Sequence, residues 1–127
     1  MKVKDIMNKV VVAEDNLSIG EAAKIMSEKS IGSLVLINKK NVSGIITESD
    51  ILKAAAQRNL GISVRTVMAK KVYSVSSDDC LDDAAEIMKK RKIKRLPVID
   101  NGRLFGIITA TDLLANSDEL NEDFLLD

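Results

Sequence analysis

Thr47, Ser49 and Asp50, and again Thr109, Thr111 and Asp112, are the side chains whose types and spacing could do chemistry. Each trio closes a repeated stretch, Gly44-Ile45-Ile46-Thr47-Glu48-Ser49-Asp50 and Gly106-Ile107-Ile108-Thr109-Ala110-Thr111-Asp112. A hydroxyl three residues ahead of a carboxylate can satisfy the free N–H groups of a helix's first turn. A helix N-terminus is also a ready place for an anion. On the pattern alone a capping box is the first reading. The same Gly at the same distance before both turns adds a second one, since a residue without Cβ lets a ligand approach the backbone. The two uses can coexist, with Thr capping while Asp turns outward.

Other reactive groups carry less. Residues 89–95 hold six cations in seven positions, which fits a solvated helix end. Lys94 and Arg95 stand apart, because they lie at the start of an apolar strand, where an Arg could fork onto a phosphate. Cys80 falls at a helix start, which favours a thiolate. The chain has no His, so the usual base and metal ligand is missing, and Cys80 reads as an incidental small residue. No catalytic residue and no metal site are expected, and the chain does not read as an enzyme.

Composition narrows the partners. The 127 residues are 46% hydrophobic and 30% charged, with Lys plus Arg and Asp plus Glu both 19. Zero net charge argues against nucleic-acid or membrane electrostatics and favours self-association. Aromatics at 2% leave almost no stacking platform for single strands. A lone cysteine forms no internal disulfide, which points to a reducing, cytoplasmic setting. Met1-Lys2-Val3-Lys4-Asp5 lacks the apolar stretch of a signal peptide. No apolar run approaches the roughly 20 residues of a membrane span.

The elements that must position the two trios are themselves repeated. Val3-Lys4-Asp5-Ile6-Met7 returns as Val64-Arg65-Thr66-Val67-Met68, offset by 61 positions, and Ile19 to Met26 returns as Leu81 to Met88, offset by 62. One residue has been added between Met68 and Cys80. Halves of about 60 residues are too small to bury a good core alone, so they are expected to pack together. Boundaries are set at 1–62 and 63–117, with an acidic tail at 118–127. In the first half Val10 to Val12 reads as a short buried strand. Ser18 and Glu21 form a capping box, and Ile19, Ala22, Ala23 and Met26 share one helix face. Leu34–Ile37 and Val42–Thr47 form a hairpin around Lys39-Lys40-Asn41. A second helix runs from Glu48 to about Asn59, with Gly61 placed to end it. The second half repeats the plan: strand Val72–Val75, a helix on Leu81, Ala84, Ala85 and Met88, strand Leu96–Ile99 with Pro97 marking an edge or start, an Asp100-Asn101-Gly102 turn, strand Leu104–Thr109 and a last helix from Ala110. The recurring methionines are core filler. The fold class is α+β, two β-α-β-β-α repeats.

At this level the chain resembles a tandem pair of CBS domains, a Bateman module. The Val-x-x-Ile/Val-Met openings, Leu96-Pro97-Val98-Ile99-Asp100 and the two Gly-Ile-Ile-Thr-x-x-Asp stretches carry the resemblance, from residue 3 to about 115. It implies pseudo-two-fold packing and two clefts for adenosine nucleotides or related adenosyl ligands (AMP, ADP, ATP or S-adenosylmethionine), with no cofactor required. The Asp would bind ribose hydroxyls and the Thr and Ser hydroxyls would reach phosphates. The resemblance combines the turn of one repeat with the first two strands of the other. One cleft then groups Ile45, Thr47, Ser49 and Asp50 with Val72, Ser74, Lys94 and Arg95. The other groups Ile107, Thr109, Thr111 and Asp112 with Val10, Val12, Gly32 and Ser33. Only the first has cations and the extra hydroxyl of Ser74, so the Asp50–Arg95 cleft is expected to be the tighter and to favour the more phosphorylated ligand. Function is read as a stand-alone regulatory module that senses adenosine nucleotides and signals to an unknown partner protein. The competing reading is a constitutive assembly domain with unused clefts. Ile51, Leu52, Ala54, Ala55 and Ala56 nearly encircle one helix, and Leu113, Leu114, Leu120, Phe124 and Leu125 extend another, which predicts a symmetric homodimer.

Overall fold

Helix α2, Ile19–Lys29, begins where the sequence places it. Ser18 Oγ accepts from the Glu21 N–H at 3.1 Å and Glu21 returns a carboxylate oxygen to the Ser18 N–H at 3.1 Å. Two of the first-turn donors are thereby satisfied. The helix stops at Ser30, which takes a left-handed conformation with φ 53°. Ile19, Ala22 and Met26 point inward from it and are buried.

The structure is a computed structural model and describes residues 1–116. They fall into two units, Val11–Val72 and a second made of Met1–Val10 with the chain from Tyr73 onward. The units therefore do not follow the repeats along the chain. The opening segment of each repeat packs with the body of the other.

In the Val11–Val72 unit, β1 (Val12–Glu14) pairs parallel with β2 (Ser33–Asn38), which pairs antiparallel with β3 (Asn41–Thr47). The hairpin turn is Lys39-Lys40, both at positive φ (50° and 69°), the twist a two-residue hairpin wants. Helix α2 and helix α3 (Glu48–Ala56) lie over a core of Ile19, Met26, Leu34, Leu36, Ile46, Ala54 and Val64. Val64 arrives on a 3-10 turn, Val64–Thr66, whose first N–H donates to Leu17 O at 2.9 Å.

In the other unit, α1 (Val3–Ile6) sends Val3 into a core with Val75, Ala84, Met88, Leu96, Val98, Ile108 and Leu113. Helix α4 (Leu81–Arg91), the hairpin β4 (Arg95–Asp100) and β5 (Arg103–Thr109), and helix α5 (Ala110–Asn116) complete it. Here the turn is Asn101-Gly102, again with both φ positive.

Three boundaries differ from expectation. The first strand starts at Val12, which is 42% exposed rather than buried. The expected strand at 72–75 is reduced to one bridge, Val75 with Val98. The reason lies in its partner. Val35 N–H donates to Val11 O at 3.2 Å in the first unit, but the matching residue is Pro97, which has no N–H to offer. Helix α3 ends at Ala56, and its stop is Arg58 in the left-handed region at φ 59°, not Gly61. Asn59 N–H then reaches back to Ala54 O at 2.8 Å, closing the helix end. The expectations for the tail, with Leu120, Phe124 and Leu125, lie outside the described residues.

Candidate functional site

Both repeated turns form where β-branched strands give way to helices. β3 ends at Thr47 and α3 starts at Glu48; β5 ends at Thr109 and α5 starts at Ala110. In each, the Asp carboxylate turns back toward its Thr instead of outward. Asp50 Oδ2 accepts from Thr47 N–H at 2.9 Å and Thr47 Oγ1 at 3.2 Å. Asp112 Oδ2 accepts from Thr109 N–H at 3.0 Å and Thr109 Oγ1 at 2.7 Å. It takes a further bond from Asn8 Nδ2 at 2.7 Å. The capping reading of the turns is therefore realised. These bonds all run through Oδ2. Thr47, Asp50, Thr109 and Asp112 are half-buried, while Ser49 and Thr111 are exposed at the first helical turn.

Strand register decides which other residues border each turn. Ser33 is the partner of Thr47, and Gly32 O accepts from Glu48 N–H at 3.1 Å. Arg95 is the partner of Thr109, and Lys94 O accepts from Ala110 N–H at 2.9 Å. Within the units, then, Gly32 and Ser33 border the Asp50 turn, and Lys94 and Arg95 border the Asp112 turn. The expected groupings of Arg95 with Asp50 and of Ser33 with Asp112 join residues of different units. Ile45 is half-buried and Ile107 is buried; Val10 and Val72 are half-buried, and Val12 and Ser74 are exposed.

The glycines do not have the role expected of them. A Cβ on Gly44 would lie 2.6 Å from Met68 Sδ and 3.0 Å from Ala69 O. One on Gly106 would lie 2.7 Å from Asn8 O and 3.0 Å from Met7 Sδ. The space beside each glycine is filled by the opening segment of the other repeat, through paired backbone bonds. Ile45 and Ala69 exchange bonds of 3.1 and 2.9 Å, and Asn8 and Ile107 bonds of 2.8 and 3.0 Å. Gly44 and Gly106 are explained by packing of protein on protein, not by room for a ligand.

Two carboxylate clusters were not anticipated. Asp15, 4% exposed, accepts from Arg65 Nε at 3.0 Å and Nη2 at 2.5 Å, and from Asn38 Nδ2 at 3.2 and 3.3 Å. The Arg65 bond, more than any other contact, holds its pKa below the ordinary carboxylate range, against the effect of burial. Asp100 accepts from Ser76 Oγ at 2.5 Å, from Ser77 N–H at 2.9 Å and from Ser77 Oγ. These bonds, that of Ser76 first, lower its pKa. Asp78 is lowered by Lys4, which bonds it at 3.0 Å. These groups pin the opening turns and hairpins. No group of three or more His, Cys, Asp or Glu among the described residues is placed to hold a metal ion. No helix among them is long and apolar enough to cross a membrane.

The repeated scaffold that carries these two turns has counterparts among known proteins. The chain is 46% identical over 107 residues to an uncharacterized 17.7 kDa protein in the bps2 3' region of Acidianus ambivalens, spanning 83% of this chain and 65% of that one. It is 37% identical over 114 residues, 87% of this chain, to part of the L-aspartate semialdehyde sulfurtransferase of Methanocaldococcus jannaschii, of which it spans only 22%. The fold superposes on the crystal structure of the CBS domain pair of protein MJ0100 in complex with 5'-methylthioadenosine and S-adenosyl-L-methionine, with TM-score 0.84, 36% identity, and 91% and 94% of the two chains covered. The CBS domain family matches twice, over residues 3–57 and 64–119, almost end to end on the two repeats. The chain belongs to the CBS domain family and carries two copies of the domain.

Proposed function

We propose that this chain is a regulatory module that binds adenosine-containing ligands and reports their presence to a partner protein. The observation that carries the reading is the twice-built Thr-x-x-Asp junction together with the likeness to a domain pair whose structure holds two adenosyl compounds. In this reading Asp50 and Asp112 take ribose hydroxyls, Thr47, Ser49, Thr109 and Thr111 offer hydroxyls to phosphate, and Ile45 and Ile107 flank the base. Val10, Val12, Gly32, Ser33, Val72 and Ser74 supply the remaining walls. Lys94 and Arg95 distinguish charged from uncharged ligands, because a charge-assisted bond to phosphate is about twice as strong as a neutral one. A matching stretch inside a much longer enzyme supports regulation rather than catalysis as the module's use.

The test is calorimetry with ATP and 5'-methylthioadenosine. Arg95→Ala should weaken ATP by roughly tenfold or more, the size of one bond to a charged group, and change methylthioadenosine little. Equal losses for both ligands would remove the phosphate assignment. No binding of either by the unmodified chain would favour an assembly domain instead.

Self-association belongs to the same proposal. Leu52 on α3 is 70% exposed. It borders an apolar groove of about 560 Å³ between α2 and α3, lined also by Ala23, Met26, Ile31 and Ile51. A homodimer that covers this face should become monomeric in Leu52→Glu, because a charge is not tolerated in a desolvated interface core. Sedimentation of both proteins checks it; a monomeric parent chain at tens of micromolar would end the idea.

A further inference from the structure

Asn8 gives the Asp112 turn a group that the Asp50 turn does not have. Each turn meets the opening segment of a repeat through the same kind of backbone exchange, Asn8 with Ile107 and Ala69 with Ile45. Asn8 follows Met7 as Ala69 follows Met68, so the two positions are equivalent. One carries an amide and the other a methyl group. Asn8 Nδ2 donates to Asp112 Oδ2 at 2.7 Å. A carboxylate only accepts, so the amide must turn its nitrogen to Asp112 and keep its oxygen for another donor.

The remaining bonds decide which atoms are left for a ligand. Asp112 Oδ2 also accepts from the Thr109 N–H at 3.0 Å and the Thr109 hydroxyl at 2.7 Å. Three donors fill that oxygen, which has two lone pairs. Among the described residues nothing donates to Asp112 Oδ1 or to Asn8 Oδ1. Two acceptors are therefore open, on two planar groups joined by one short hydrogen bond. The Asn8 backbone is held by its 2.8 and 3.0 Å bonds with Ile107, so the amide is anchored at both ends. At the other turn Asp50 Oδ2 takes the N–H and the hydroxyl of Thr47, and Ala69 adds no acceptor beside Asp50. Two acceptors on linked groups match two neighbouring hydroxyl donors, and a vicinal diol is that pair.

We propose that Asn8 is a specificity-determining residue: with Asp112 Oδ1 it forms a two-acceptor pair that recognises a vicinal diol and disfavours a ligand lacking one of its hydroxyls. The proposal rests on the function proposed above, in which Asp112 takes ribose hydroxyls, and adds what makes its turn more selective than that of Asp50. Asn8 is exposed, so water can replace a missing hydroxyl. The selectivity is then that of one hydrogen bond, not the far larger rejection of a buried polar site.

The experiment titrates the full chain with adenosine and 2'-deoxyadenosine by calorimetry, with the other turn silenced by Asp50→Ala. In that chain Asn8→Ala should cut the preference for adenosine about fivefold, the worth of one neutral hydrogen bond. A residue that only braced the turn would weaken both ligands alike and leave the preference unmoved. The reciprocal variant is Ala69→Asn in a chain carrying Asp112→Ala, where the preference at Asp50 should rise by a similar factor. Where Asn8→Ala is too unstable to titrate, this variant decides. An unmoved preference in Asn8→Ala, or no gain in Ala69→Asn, would overturn the role of Asn8 while adenosine binding stands. No binding of either nucleoside by the unmodified chain would instead overturn the function proposed above, and this role with it.

Discussion

Gly106→Ala is expected to destabilise the protein by about 1–3 kcal/mol, the usual cost of forcing a methyl group into a packed core, and to cost more than Gly44→Ala. The positions are equivalent in the repeats, and both glycines are buried. Their neighbours differ in what can yield. At Gly44 the nearest atoms are Met68 Sδ at 2.6 Å and Cγ at 2.9 Å, the flexible part of a long side chain, with Ala69 O behind them at 3.0 Å. At Gly106 the nearest atom is a backbone oxygen, Asn8 O at 2.7 Å, with Met7 Sδ at 3.0 Å. Asn8 cannot retreat without cost. Its backbone exchanges two bonds with Ile107, and its side chain bonds Asp112 at 2.7 Å. A methyl group at 106 should therefore loosen the Asp112 turn, and the adenosyl binding proposed there should weaken with it. Urea denaturation of the two variants measures the order. Adding Met68→Ala should restore much of the Gly44→Ala loss, while Met7→Ala should restore little at Gly106. A costlier Gly44→Ala, or full rescue by Met7→Ala, would show that side chains and not the Asn8 backbone set the limit.

The glycine pair also shows where reading the sequence stopped. The repeat, the caps at Ser18 and Glu21 and the two hairpins were legible, because each depends on residues close in sequence. The Gly of Gly-Ile-Ile-Thr-x-x-Asp was visible too, but its cause was not. Asn8 and Met7 meet Gly106 from a segment about a hundred residues away in order. The missing strand at 72–75 has the same origin: Pro97 was seen as an edge residue, yet the bond it withholds concerns a different strand. Local reasoning also assigned the Asp side chains an outward direction. In the structure Oδ2 of each answers the Thr N–H and hydroxyl, because a half-buried N–H left unpaired at a helix start is costly. Register supplied what pattern could not, by setting Arg95 beside Thr109 and Ser33 beside Thr47.

Asp15 was missed for a more specific reason, and it leads to the other large effect. Counted by the repeat, Asp15 stands opposite Ser77, Asn38 opposite Asp100, and Arg65 opposite Lys4, so the positions look like drift. In space the first repeat has its carboxylate after β1 and an amide at the end of β2, and the second has hydroxyls after the Val75 bridge and the carboxylate at the end of β4. The charge has moved across the pair while the docking of an opening turn is preserved. Arg65→Leu should therefore lower the melting temperature at pH 7 by several degrees, because it leaves Asp15 charged, 4% exposed and held only by neutral partners. Asp15→Asn together with Arg65→Leu should cost less than the two single changes summed, as residues sharing one contact do not add. The pH dependence follows from the direction of the shift. Asp15 is a stronger acid folded than unfolded, where its ordinary value is 3.8. It contributes stability that is fully present above that value and is lost as pH falls through the lower folded one. Arg65 is shifted upward, so it adds nothing to this acid window. The groups facing Asp15 are Arg65, Asn38 and Ser43, of which Arg65 alone is charged. Asp78 and Asp100 are lowered as well, so acid sensitivity should shrink in Asp15→Asn without vanishing. Chemical denaturation at pH 7 and pH 3 gives the comparison. If Asp15→Asn loses as much stability between those two pH values as the unmodified chain, the ion pair is not what fastens the Val64–Thr66 turn.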